Sequence, residues 1–228
     1  AFLCPAGSIW RALLLLSTIV GVIYALINGL PLKGEIANDG RNALDLNKNP
    51  EALAAFRTQL VLNRLNAEGM RLKDMPEEYF TWPSEESRSN SLIATIAVLC
   101  AKRLLDEHRF EECAARLDEM LDGDMNKLPG MYRKLLLVDR IYLHLLDGET
   151  ETAATLMDKE QKQFMKAMKG QLPIHRTDYA YALLAEKDAA KAEKHLKAFD
   201  KVARHYPHPQ EVEGERELIA LAKEAQQL

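Results

Sequence analysis

The stretch ALLLLSTIVGVIYALINGLPL, residues 12–32, lies between Arg11 and Lys33 without a single charge. Its 21 residues suffice for a helix that crosses a hydrocarbon core of about 30 Å. Trp10 and Arg11 stand at one end, where interfacial anchors are common. A signal peptide is the first competitor, but it needs a basic leader, a shorter apolar core and a small-residue cleavage site. The leader here, AFLCPAGSIWR, holds one charge, and no A-x-A pattern follows the apolar run. A buried core helix is the second competitor. The chain opens in apolar sequence with Ala1 rather than Met, so the expectation is a longer protein whose N-terminal part precedes this one.

Past Pro50 the character changes. Residues 51–228 carry 26 basic and 31 acidic side chains, and apolar residues recur there at helical spacing rather than alternating. Over all 228 residues the net charge is −4 and the pI about 5.9, which excludes the electrostatic footprint of a nucleic-acid binder. Three cysteines, Cys4, Cys100 and Cys113, are too few for a disulfide framework. Cys100 and Cys113 could meet across a helical hairpin, but two buried thiols are the favoured reading.

The sequence predicts an all-α protein: an N-terminal transmembrane helix followed by a tetratricopeptide-like stack of helical hairpins. Three parts are expected. Residues 1–49 form the membrane segment, 50–89 a helix and connector, and 90–228 the helical domain. In the second part, Pro50 opens a helix that Gly69 stops. A connector with Pro76 and Pro83 then packs Tyr79, Phe80 and Trp82 onto its neighbours. Helices are expected over residues 90–108, 110–121, 131–146, 150–169, 175–186, 189–205 and 211–227. Breaks fall at LDGDMNKLPG (residues 121–130), at Asp147-Gly148 and at residues 170–173. The second helices contain ECAARL, ETAATL and KAEKHL, which place Ala114, Ala153 and Ala192 each 39 residues apart. A small residue there lets paired helices approach closely, and the last helix would serve as a polar cap. An unrelated bundle with coincidental alanines is the competing reading.

Motifs for chemistry are sparse. There is no H-E-x-x-H, no glycine-rich phosphate loop, no G-x-S-x-G and no C-x-x-C. His205 and His208 share a proline-rich turn that does not suit a helical ligand pair. Cys113, near His108, is a weak nucleophile candidate in an alanine-rich helix. The constellation that stands out is Asn28-Gly29-Leu30-Pro31 at the end of the apolar run, followed by Asn38-Asp39-Gly40. Backbone that leaves helical geometry in lipid must be buried in protein or line a cavity. A carboxylate near membrane depth is a functional-site hypothesis by default. The plainer reading is a helix end, an Asn-Asp-Gly turn and a second helix.

N-x-x-P followed by D-G, directly after an apolar helix, resembles the C-terminal half of the active site of the site-2 protease family, which are intramembrane zinc metallopeptidases. The resemblance extends over about residues 9–80, through NGLPLKGEIANDGRNAL and EALAAFRTQLVLNRLNAEGMRLKDMPEEYF. It points to a bacterial branch in which a soluble helical tail follows the membrane part. It implies zinc as cofactor, with Asp39 as third zinc ligand beside two histidines of an upstream HExxH helix. Asn28 and Pro31 would belong to the element that binds extended substrate. The Pro31-to-Asp39 spacing is longer than in the common family pattern. The chain itself has no HExxH, and one Asp cannot hold catalytic zinc, so the chain alone should be inactive.

The alternative is a non-catalytic membrane-anchored adaptor. In either case the expected partners are the bilayer and a protein or peptide on the tail, with no nucleic acid. Candidate partner contacts on the first helices are Arg140, Tyr142, His144, Arg176, Tyr179 and Tyr181. Arg11 precedes the apolar run, while Lys33, Arg41 and Lys48 follow it. The positive-inside bias therefore places the protein in the cell membrane with its C-terminal tail cytoplasmic.

Overall fold

The structure, a computed structural model, describes Pro5 and residues 7–31, 38–122 and 130–226. Cys4, Lys33 and most of the expected break at residues 121–130 lie outside the described residues. Every regular element among the described residues is helical. The chain divides into two compact units, Ala1–Ala54 and Ala55–Leu228.

In the first unit, α1 (Ile9–Gly29) has a mean hydropathy of 2.1 and buries none of its residues against protein. It is one helix long and apolar enough to cross a membrane. Ser8 caps its start by accepting from the Trp10 amide. Within it, Thr18 returns its hydroxyl to the Leu14 carbonyl at 2.8 Å, so this polar group is satisfied inside the helix. A short helix, α2 (Asp39–Lys48), follows and packs against α1.

Helix α3 (Pro50–Ala67) begins with Pro at its first position and stops at Gly69, whose φ of +90° suits glycine. Its C-terminal residues Leu62 and Leu65 bury against Met75 of the connector, where Tyr79 and Phe80 also pack. The connector itself is three single 3₁₀ turns. Trp82 packs on the main core, flanked by the guanidinium groups of Arg88 and Arg116 at 5.2 and 4.6 Å from its ring centroid.

The main core is built by α4 (Ser91–Asp106), α5 (Phe110–Asp122), α6 (Gly130–Leu146), α7 (Thr150–Leu156), α8 (Lys159–Ala167), α9 (Leu172–Ala180), α10 (Ala189–Ala203) and α11 (Pro209–Ala225). Two elements differ from expectation. The single helix over 150–169 is two helices, because Asp158 caps a new start by accepting from the Gln161 amide at 2.7 Å. Met157, at the break, turns into the core. The helix expected from residue 175 starts at Leu172, with Pro173 in its first turn, and ends in a π-helical stretch at Tyr181–Ala185.

Three hairpin turns share a residue of positive φ. His108, Gly148 and Lys187 each adopt positive φ, 40 and 39 residues apart, between α4 and α5, α6 and α7, and α9 and α10. Five residues after each comes a buried small residue: Cys113, Ala153 and Ala192. This corrects the expected register. Ala153 and Ala192 are core contacts, whereas Ala114 is only half-buried and Cys113 takes its place. The spacing is uneven by one residue because the intervals between turns differ by one.

The last helix, expected as a polar cap, buries one face in the core. Helix α11 lies on α9 and α6 and buries Leu218, Ile219 and Ala222. Gly214 allows its approach, since a Cβ there would stand 3.0 Å from Asp106 Oδ1 and 3.1 Å from Arg71 Nη2.

Candidate functional site

The membrane-proximal element is assembled by Asn38. Its side-chain amide donates to the Ile27 and Leu30 carbonyls, the groups that the end of α1 leaves without helical partners. Its Oδ1 accepts from the Arg41 amide at 3.0 Å and so caps α2. One side chain thus closes one helix and starts the next. Gly40 completes the joint, because a Cβ at that position would lie 2.5 Å from the Gly29 carbonyl oxygen and 3.0 Å from that of Asn28. No side chain fits against that backbone.

The joint brings together the three residues singled out in the sequence. Asn28 and Pro31 are exposed at the end of α1, and Asp39 is exposed in the first turn of α2, next to Gly40. A carboxylate in that first turn is favoured by the helix dipole. As a zinc site these residues are incomplete. Asp39 offers one oxygen donor, and among the described residues no three His, Cys, Asp or Glu side chains converge to hold a metal. The described residues therefore do not fit zinc by themselves. The sequence marked Asn38 as part of a turn but gave no hint that it would bridge two helices.

No family model, curated protein or solved structure matches the chain.

In the helical domain, the residues expected to face a partner are largely turned inward. Tyr142 and Tyr179 are buried, and the Tyr142 hydroxyl donates to the Leu218 carbonyl of α11 at 2.7 Å. Arg176 is 0% exposed. Its Nη2 donates to Asp139 Oδ1 at 2.7 Å, and its guanidinium lies 4.3 Å from the centroid of the Tyr142 ring. Arg140 forks onto Asp118 at 2.6 and 2.9 Å. His144 is buried with Nδ1 2.5 Å from Glu149 Oε2. Tyr181 is half-buried. Helix α11 covers the face of α6 and α9 that was expected to be open, and most of these side chains serve packing and internal ion pairs.

A buried ionic cluster results. Lys102 of α4 lies 3.6 Å from Asp139 of α6, and Arg176 of α9 reaches both Asp139 and, at 3.5 Å, Glu215 of α11. Burial opposes ionisation of Asp139, but Lys102 and Arg176 outweigh it and hold its carboxyl below the ordinary range. Glu215 goes the other way: burial, with Asp139 nearby, pushes its carboxyl up despite Arg176. The sequence signal for this cluster was present but unused. Asp139 interrupts the apolar run LLLVDRIYLHLL, and Lys102 interrupts VLCAKRLL.

Cys100 and Cys113 are packing groups. Cys100 and Cys113 are free and buried. Burial raises the Cys100 thiol to about 11 and the Cys113 thiol to about 12. The Cys113 thiol donates to the Ala101 carbonyl at 3.3 Å, across the α4–α5 hairpin. Burial, the hydrogen bond and the raised thiol all favour a packing role for Cys113 over a nucleophilic one.

Proposed function

We propose that this chain is the C-terminal part of an intramembrane zinc metallopeptidase of site-2 protease type. Its tetratricopeptide-like helical tail serves regulation or partner binding. The observation that carries the proposal is the seating of Gly40 on the Gly29 and Asn28 carbonyls. It seats the first turn of α2, which carries Asp39, on backbone of the N-x-x-P element at the end of a helix of membrane-spanning length. In this reading Asp39 contributes one negative oxygen to a metal site whose other ligands lie outside the chain. Zinc, held by Asp39 together with ligands from outside the chain, would supply an activated water and a Lewis acid for the scissile carbonyl. Asn28 offers an exposed donor and acceptor to a substrate backbone unwound into extended form, whose polar groups lipid cannot satisfy. Pro31 keeps the chain from continuing α1 past that point. The recurring hairpin turns at His108, Gly148 and Lys187 support the repeat reading of the tail.

The test is Asp39→Ala in the full-length protein in liposomes, with zinc content and substrate cleavage both measured. Both should be lost while membrane insertion is unchanged. Retained zinc and wild-type turnover would sink the assignment. The tail is assigned to the cytoplasm on Arg41 and Lys48 after α1 against Arg11 at its start. A reporter fused at the C-terminus that is active only outside the cytoplasm would reverse this.

One observation favours a second reading, a membrane-anchored adaptor without catalysis. The double capping by Asn38 accounts for Asn-Asp-Gly as a turn, with no chemistry required of Asp39. The two readings part on the sequence upstream of Ala1: an HExxH in an apolar helix belongs only to the first.

A further inference from the structure

The helical domain holds a cavity of about 320 Å³, lined by α4, α11, the C-terminal residues of α3 and the start of α9, all within residues 55–228. Its apolar wall includes Leu62, Leu99, Leu172 and Leu218. Its charged lining residues are Arg71 and Lys102 against Asp106, Glu211 and Glu215. Gln210 is buried, and its amide nitrogen is spent on the Asn66 carbonyl and side-chain oxygens at 2.6 and 2.8 Å. Its Oε1, in the same lining, has no hydrogen-bond partner. Glu215 Oε2 has none either and stands 3.5 Å from Arg176 Nη1. Glu211 accepts only from neutral groups, the Asn66 amide at 2.8 Å and the Tyr206 hydroxyl at 3.2 Å.

Charge is out of balance in the same direction. Arg71 and Lys73 answer Asp106 and Glu217. Lys102 and Arg176 pair with Asp139 and Glu215, and Glu211 has no cationic partner among the described residues. Glu211 without a cation, and the orphan acceptors Gln210 Oε1 and Glu215 Oε2, in a partly apolar cleft call for a cation with several donors. An anion would meet the excess negative charge, and a neutral alcohol would leave it unanswered.

We propose that this cavity binds an organic cation, an ammonium or guanidinium on an aliphatic stem. The head sits among Glu215, Glu211 and Gln210 Oε1, and the stem lies on the leucines. The volume suits a small ligand. The same chemistry is offered by a free amine and by a Lys or Arg side chain of a partner peptide.

Calorimetric titration of the full chain in detergent micelles tests this. The probes are butylamine and agmatine as free cations, and acetyl-Ala-Lys-Ala-amide and acetyl-Ala-Arg-Ala-amide as side-chain cations. Butyrate and butanol are controls. At least one cation should bind saturably, and at least about tenfold more tightly than either control. Tighter binding of the free amines assigns the site to a small molecule, and tighter binding of the peptides to a partner side chain. Glu215→Gln and Glu211→Gln should each weaken binding at least about fivefold. If Glu215→Gln does not fold, Glu211→Gln decides, because its native partners are neutral. Absence of saturable binding by all four cations overturns the proposal. So does butyrate binding as tightly as the cations, or an unchanged affinity in the variants that fold.

Discussion

The Tyr142 hydroxyl of α6 donates a 2.7 Å hydrogen bond to the Leu218 carbonyl of α11, and the donor side chain is fully buried. That bond fixes the last helix on the face where a helical-repeat protein commonly receives a partner. Tyr142→Phe keeps the ring beneath Arg176 and removes only the hydroxyl. The loss should be about 0.5–1.5 kcal/mol in urea unfolding of the full chain in micelles. Exchange protection of the α11 amides should fall with it. Unchanged protection there would show that the bond does not hold α11.

The hairpin register makes a separate prediction. Cys113, Ala153 and Ala192 are the buried small residues five positions after each turn, and Ala114 is not. Leucine at any of the three should overpack its hairpin and cost about 1–3 kcal/mol. Ala114→Leu should cost clearly less, because that side chain is only partly buried. A melting series over the four variants separates the two registers: equal losses at Ala114 and Cys113 would reject the one described.

Much of this fold was legible from local signals. Pro50, Gly69, Asn90 and Gly148 stand where helices begin or end, and uncharged residues 12–32 gave α1. What was not legible depends on tertiary contacts. The break at Met157-Asp158 competes with a sequence of good helix formers, and the buried Met157 and the Asp158 cap decide it. The place of α11 depends on complementarity to α6 and α9, which its own periodicity does not encode. Asn28, Pro31 and Asp39 were found by pattern. Asn38 was not recognised as the joint, because a side chain that caps two helices leaves the same trace as an ordinary turn asparagine.

At that joint, Gly40→Ala puts a methyl carbon against the Gly29 carbonyl, and neither side can yield without moving backbone. The α1–α2 turn should open. Hydrogen exchange in micelles should show faster exchange at Arg41 and Asn42, while α1 stays protected. In the full-length protein the same change should lower any peptidase activity at least about tenfold. Native exchange rates in the variant would show that the close approach is not maintained.

Asp178 gives a pH-dependent prediction. Its carboxyl is raised from 3.8 to about 6, chiefly by burial, with Lys191 opposing and Glu186 adding to the rise. The folded state therefore holds this proton more tightly than the unfolded state. Asp178 adds stability below about pH 4, loses it as pH rises to about 6, and is a cost at neutrality. Asp178→Asn should be more stable than the natural chain by about 1–3 kcal/mol at pH 7. The difference should shrink towards zero at pH 4. Urea unfolding at both pH values checks this, and a difference that does not change with pH would assign it to something other than ionisation.

The ionic cluster supplies the largest expected effect. Arg176 is the cation shared by Asp139 and Glu215, with only Lys102 as a second one, 3.6 Å from Asp139. Arg176→Met fills a similar volume but leaves Glu215 without its cation and Asp139 with Lys102 alone. The cost should be about 3–5 kcal/mol, the range for breaking a buried pair from one side. Removing the stranded charges as well should recover most of it. Desolvation and attraction nearly cancel in such clusters, so Arg176→Met with Asp139→Leu and Glu215→Leu should approach or exceed natural stability. Urea unfolding of the single and triple variants, with Asp139→Leu alone as a reference, measures the coupling. If the triple variant is clearly less stable than the natural chain, the cluster supplies net stability, and the cancellation assumed for it is wrong.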